Sequence, residues 1–294
     1  MPSGAALLDP AFLHELEVLR RRLDVRARSG GVGERATSRR GGSAEFQDHR
    51  PYAPGDDPRR IDWSVMARTG EAFIKLFRAE EDAVVRLLVD ASASMRFGDP
   101  EKLGVAKKLA AGLGYMALRR QERAQLWITS AERARPSSPV RGRAGVAPLL
   151  EALSSLEADG SAELSRAIDA VVRTSPRPGM LAIFSDFFDP GPVLASLSRA
   201  RAAGHAVCLV QIVSPEEEEP ELEGDLCLVD AETQAEVELT ADADALDAYA
   251  ARFRGLCEEL RGFARGRGAS YVRARTDAAL EDVIRRVVDR AVDG

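Results

Sequence analysis

From residue 83 onward the apolar positions fall into two alternating patterns: short continuous runs, and longer stretches with helical spacing. The run Ala83-Val84-Val85-Arg86-Leu87-Leu88-Val89 predicts a buried strand that ends at Asp90. Residues 124–129, 180–184, 205–213 and 270–273 repeat that pattern. Between them, helices are predicted over 100–119, 146–156, 162–173, 192–203, 244–265 and 278–288. Residues 225–228 and 235–239 flank a turn and predict a β-ribbon, while 133–145 is rich in Pro, Ser, Gly and Arg and reads as a loop. Strands alternating with helices predict an α/β fold, a doubly wound and mostly parallel sheet spanning residues 83–294.

Residues 1–82 show no such alternation. Asp9-Pro10 is a helix start, a capping Asp before a Pro, and Phe12, Leu13, Leu16, Leu19 and Leu23 follow at helical spacing. Residues 26–42 are rich in Arg, Gly and Ser and predict a loop. Next comes a dense block from Arg50 to Trp63, where Pro51, Pro54 and Pro58 forbid a long helix or a central strand. Its Asp56, Asp57, Arg59 and Asp62, with Arg68, form either a binding surface or an ion-pair network, and Tyr52, Ile61 and Trp63 among them favour a packed network. Residues 73–78 alternate apolar and polar, a strand that pairs either with the main sheet or within this region. The region lacks a periodic apolar set of its own, so residues 1–82 are expected to pack on the sheet domain.

Composition narrows the function. The chain has 294 residues, 45% hydrophobic and 30% charged, enough to bury a core. Its formal charge of −6 argues against phosphate-backbone binding as its main work. Residues 20–40 are locally basic, which keeps nucleic-acid binding as an alternative, but they lack interleaved aromatics. Arg20-Arg21-Arg22 reads as a solvated helix face, and Glu216 to Glu219 as a solvated acidic loop between prolines. Cys208, Cys227 and Cys257 are widely spaced, so neither a zinc site nor a disulfide framework is indicated. With no signal-peptide pattern and no apolar run of membrane length, the expectation is a soluble, cytoplasmic protein.

The candidate chemistry lies at two predicted strand ends, Asp90 and Asp186. In doubly wound sheets ligands sit beyond the carboxyl ends of the strands. Asp90-Ala91-Ser92-Ala93-Ser94 places hydroxyls two and four residues after a carboxylate, and Asp159-Gly160-Ser161 offers another from a neighbouring loop. Oxygen-only donors suit Mg²⁺ or Mn²⁺ and not zinc. The alternative for each is a helix cap.

Asp90-x-Ser92-x-Ser94, Gly160-Ser161 and Asp186 resemble the metal-ion-dependent adhesion site of von Willebrand factor A domains. Glu45-Phe46, Arg50-x-Tyr52, the segment from Gly55 to Trp63, Ala67-Arg68-Thr69 and the DxSxS motif resemble the bacterial domain-of-unknown-function 58 family more closely. The likeness extends to the Asp230-x-Glu232-Thr233 turn. The resemblance implies direct metal binding by Ser92 and Ser94, with Asp90 and Asp186 holding the ion directly or through water. Ser161 stands where the family pattern usually has threonine. The first functional reading is a non-enzymatic, metal-dependent protein-interaction module using Mg²⁺ (or Mn²⁺ or Ca²⁺), and the resemblance implies a MoxR-type AAA+ ATPase or its client as the partner. The enzymatic alternative is a Mg²⁺-dependent phosphohydrolase with Asp90 as nucleophile. It lacks an acid two residues on, where Ser92 stands, and no lysine is expected at a helix start to grip phosphate. His14, His49 and His205 have no nucleophile near them in sequence, so a hydrolytic triad has no support.

Overall fold

A computed structural model describes residues 7, 9–29, 45–54, 56–78, 84–129, 134–161, 163–175, 177–188 and 190–292. In chain order the elements begin with α1 (Pro10–Ser29), β1 (Glu45–Pro51), α2 (Trp63–Thr69), β2 (Phe73–Arg78), β3 (Val84–Val89) and α3 (Lys102–Arg119). There follow β4 (Arg123–Ile128), β5 (Arg135–Pro136), β6 (Val140–Arg141), α4 (Val146–Ser154), α5 (Leu164–Thr174), β7 (Met180–Ser185) and α6 (Pro190–Ala202). The chain closes with β8 (Ala206–Val213), α7 (Pro215–Glu218), β9 (Gly224–Val229), β10 (Glu236–Ala241), α8 (Ala243–Arg267), β11 (Ser270–Arg275) and α9 (Leu280–Val292). Two compact units result, residues 1–29 with 83–294, and residues 30–82.

In the larger unit the strands lie in the order β11-β8-β7-β3-β4, all parallel, with β5 and β6 antiparallel on β4. Both faces are covered, which is why the strands read as continuous apolar runs. Val85, Leu87 and Val89 share a core with Leu16, Leu109, Leu150 and Ile284. Leu88 points the other way, into a core with Trp127, Ile168, Ile183, Leu197 and Leu260. The α/β, doubly wound reading therefore holds. Helix α3 meets α9 closely at a glycine: a Cβ on Gly112 would lie 2.1 Å from Ile284 Cδ1. The chain winds from β3 outward to β4, then returns to the other side of β3 to build β7, β8 and β11. The order thus reverses between β3 and β7, and the carboxyl ends at such a switch point are where doubly wound sheets bind ligands.

Helix α1 belongs to this unit, so the expected division at residue 82 is not the one the packing makes. Phe12, Leu16 and Leu19 are buried in the core that contains Leu109 and Leu113. Asp9 accepts the Ala11 N–H at 3.1 Å, and the Tyr115 hydroxyl donates to Glu17 Oε2 at 2.6 Å. The helix continues to Ser29, through the first four residues of the loop expected over 26–42; residues 30–42 lie outside the described residues. The loop expected over 133–145 instead contains β5 and β6, each two residues long, too short to show a period.

In the smaller unit β1 and β2 pair antiparallel, which decides where residues 73–78 find their partner. Asp62 caps α2 by accepting Ser64 N–H at 3.0 Å and Val65 N–H at 3.3 Å, and Gly70 ends it at φ 78°. Ion pairs do organise the block: Arg50 grips Asp56 through contacts of 2.9 and 2.7 Å, and His49 Nε2 lies 3.0 Å from Asp62. Trp63, expected to be packed among them, is 62% exposed. A seven-residue helix with no buried residue has no face to bury it on.

Candidate functional site at the strand ends

The switch between β3 and β7 brings Asp90 and Asp186 to neighbouring strand ends, with Val89 opposite Phe184 and Asp90 N–H donating to Phe184 O at 2.9 Å. Asp90 is buried. Its Oδ1 accepts Ser92 N–H at 3.0 Å and the Thr129 hydroxyl at 3.3 Å, and its Oδ2 accepts the Ser185 hydroxyl at 2.6 Å. Burial first, and then the Asp186 charge, push the Asp90 carboxyl above its ordinary range; the hydrogen bonds pull it back. The buried Ser92 hydroxyl lies 3.0 Å from that of Ser94. Two backbone bonds, Ala93 N–H to Gly160 O at 2.8 Å and Asp159 N–H to Ala91 O at 2.9 Å, clamp the loop carrying Ser161 beside them. Gly160 turns that loop at φ 60°. So Asp90, Ser92 and Ser94 come together and Asp186 adjoins them, whereas Ser161 is brought near by its backbone and its side chain is exposed.

Four further residues build the site. Thr129 and Ser185 orient Asp90, as just described. Lys102, the first residue of α3, is wholly buried, and its Nζ donates to Asp186 Oδ2 at 2.8 Å and to Glu217 Oε1. The rings of Phe97 and Phe188 flank that ammonium at 6.0 and 4.9 Å. Glu217 is held by a reciprocal capping box: Ser214 N–H donates to Glu217 Oε2 at 3.0 Å, and Glu217 N–H donates to Ser214 Oγ at 3.2 Å. Burial pushes the Glu217 carboxyl up while Lys102 pulls it down.

One expectation is thereby corrected. Residues 216–219 are not a solvated loop: Glu217 faces Lys102, and Glu218 pairs with Arg273 at 2.8 Å and Arg275 at 3.3 Å. A lysine does stand at a helix start, although no exposed surface remains to it. The signal for Glu217 was present as Ser214-Pro215-Glu216-Glu217, the S-x-x-E capping pattern. The turn of the β9–β10 ribbon also faces this site. Asp230 Oδ1 accepts Glu232 N–H at 3.0 Å and Thr233 N–H at 2.6 Å, fixing the turn. Desolvation first, and then the charges of Asp90 and Asp186, push the carboxyl of the exposed Glu232 upward.

The donor set fits a hard divalent cation and no soft one. Among the described residues no group of three or more His, Cys, Asp or Glu could hold a metal, so a cation here depends on two carboxylates with hydroxyls. Asp186 and Glu217 face one ammonium, and Asp90 lies within electrostatic reach of Asp186; with all three carboxyls ionised, the net charge of the group matches that of one divalent ion with opposite sign.

Residues 48–255 match the family model described as "Protein of unknown function DUF58". The chain belongs to this family. The matched span holds every residue named in this site, from Asp90 to Glu232. The DUF58 chain is 32% identical over 291 residues to the uncharacterized protein Mb1516 of Mycobacterium bovis, covering 96% of this chain and 90% of that one. The same values hold for the uncharacterized protein Rv1480 of Mycobacterium tuberculosis. Among solved structures it is similar to BatB from Bacteroides thetaiotaomicron, with TM-score 0.47, 16% identity, and 71% of this chain and 99% of that chain covered. It is also similar to the SpRpn10 VWA domain, with TM-score 0.41, 10% identity, and 69% and 93% covered. No helix among the described residues is long and apolar enough to cross a membrane.

Proposed function

We propose that this DUF58 chain is a protein-interaction module whose strand-end site holds one divalent cation, Mg²⁺ or its relatives Mn²⁺ and Ca²⁺. The observation that carries the reading is Asp90: a buried carboxylate at the switch point of the sheet, hydrogen-bonded into place beside Asp186 and the hydroxyls of Ser92 and Ser94. Asp90, Ser92, Ser94 and Asp186 would hold the ion, and Ser161 is the hydroxyl of the adjoining loop. When bound, the ion supplies a Lewis-acidic position that a partner's carboxylate can occupy. Phe97 and Phe188, 51% and 43% exposed, give the surroundings the aromatic surface that protein interfaces favour. The family resemblance supports a MoxR-type AAA+ ATPase, or its client, as the partner.

The phosphohydrolase reading gains Lys102 and still lacks an acid at position 92. Lys102 has both its carboxylate partners and no exposed surface with which to reach a phosphate. The test is a thermal-shift titration followed by a pull-down. Millimolar Mg²⁺ or Mn²⁺ raises the melting temperature of the wild type and not of Asp90→Ala, and EDTA and Asp90→Ala weaken ATPase capture comparably. Equal shifts in both proteins remove the metal from this site. Mg²⁺-dependent phosphate release from a phosphoester, abolished by Asp90→Asn, replaces the interaction reading with the enzymatic one.

A further inference from the structure

Lys102 is not needed to coordinate an ion, yet it is the residue most completely enclosed at the site. Its two acceptors come from separate crossovers, Asp186 after β7 and Glu217 in α7, and the rings of Phe97 and Phe188 lie beside it. A buried ammonium needs compensation, and one carboxylate would make it neutral. Two carboxylates share it, and the Asp90 carboxyl lies within electrostatic reach of one of them, Asp186. Lys102 also commits Asp186 Oδ2 to the ion pair, leaving Oδ1, which among the described residues accepts a 3.4 Å bond from Phe188 N–H.

We propose that Lys102 is a built-in counter-charge, a positioning residue that holds Asp186 and Glu217 and sets the negative charge offered to a cation at that of one divalent ion. The proposal rests on the metal-binding reading above. With the ammonium in place, a cation meets one hydrogen-bonded carboxylate and one half-committed carboxylate, a setting for a hydrated, exchangeable ion such as Mg²⁺. Without it, three carboxylates would share the crevice and Asp186 would be released to bind directly. A larger ion with more oxygen ligands, such as Ca²⁺, would gain most.

The test is calorimetric titration of the full chain with Mg²⁺, Mn²⁺ and Ca²⁺, without partner, for wild type, Lys102→Met, Lys102→Arg, Glu217→Gln and the double variant Lys102→Met/Glu217→Gln. Lys102→Met is expected to bind about tenfold or more tightly, with the largest gain for Ca²⁺, and Glu217→Gln about tenfold more weakly. The double variant, with the original charge balance restored, returns to within a few-fold of wild type, as does Lys102→Arg. A purely structural lysine predicts weaker binding in Lys102→Met and no recovery in the double variant, and that result overturns the proposal. If Lys102→Met does not fold, unchanged or tighter binding by Glu217→Gln overturns it alone. A wild type that ignores metal while Lys102→Met binds it rejects the metal-binding reading and keeps Lys102 as the counter-charge. No binding by any variant rejects both.

Discussion

Lys102 and Arg86 are both buried cations of the larger unit, at opposite edges of the same sheet. At the carboxyl edge Lys102 has two carboxylates and two aromatic rings around it. At the amino edge Arg86, on β3, is 4% exposed and donates from Nη2 to Arg177 O at 3.1 Å. Its Nε and Nη1 have no hydrogen-bond partner among the described residues. Burial lowers its pKa, and a Cβ on Gly179 would lie 2.9 Å from Nη1, so even glycine's bare backbone is close. Arg86 lies on the Leu88 face of β3, where its methylene stem can pack in an apolar layer. Burial of charge alone therefore does not mark a functional site in this molecule. What distinguishes the carboxyl edge is an excess of opposite charge around one lysine, gathered from the loop after β7 and from α7.

The largest expected effect is on stability at Lys102. In EDTA, Lys102→Met leaves Asp186 and Glu217 buried without their donor and is expected to cost about 3–5 kcal/mol in urea denaturation. A loss under about 1 kcal/mol would break the contrast with Arg86, because the carboxylates would then be finding water.

That contrast was only half legible in the sequence. The parallel sheet and its two acidic strand ends could be read, because buried strands leave continuous apolar runs and Asp90 and Asp186 stand where those runs stop. Ser92 and Ser94 follow from spacing along a single tight turn. Lys102 and Glu217 did not follow, since their contact joins residues 115 apart, with five strands (β4–β8) and three helices (α4–α6) between them. Such a pairing has no local pattern: Lys102 looks like a solvated charge in its own neighbourhood, and the S-x-x-E pattern marks Glu217 as a helix cap without pointing to Lys102. Trp63 shows the opposite failure: an aromatic among paired charges reads as core, yet α2 presents it outward. Helix α1 was legible by its apolar spacing, but which unit it joins depends on Tyr115 and Leu109, about a hundred positions away.

Arg86→Met sharpens the comparison from the other side, with a smaller effect of opposite sign. The substitution keeps most of the stem, removes two unpartnered donors and a desolvated charge, and relieves the approach to Gly179. It is expected to be neutral or to stabilise by about 1–2 kcal/mol in the same urea assay. A loss comparable to that of Lys102→Met would mean that Arg86 holds a compensating anion in solution, and the two edges would then be alike.

The smallest effect is the pH dependence that Arg86 imposes on His205. The ring is buried, and its Nδ1 lies 3.3 Å from Gly179 O, an oxygen that can only accept, so Nδ1 carries a proton there. Burial first, and then the Arg86 charge, lower the His205 pKa below its ordinary 6.5, while the Gly179 contact opposes them. A folded pKa below the unfolded one means the unfolded chain takes up the proton first as pH falls. The stability conferred by the neutral ring is therefore complete above 6.5 and is lost as the pH falls below that value. Replacing Arg86 by Met removes the Coulombic part of the penalty, so its advantage over wild type should be larger at about pH 5.5 than at about pH 7.5. In a His205→Gln background the same substitution should give one increment at both pH values. An increment that grows on acidification without His205 would assign the coupling to a carboxylate instead, and the amino edge would then hold the partner for Arg86 that Lys102 already has.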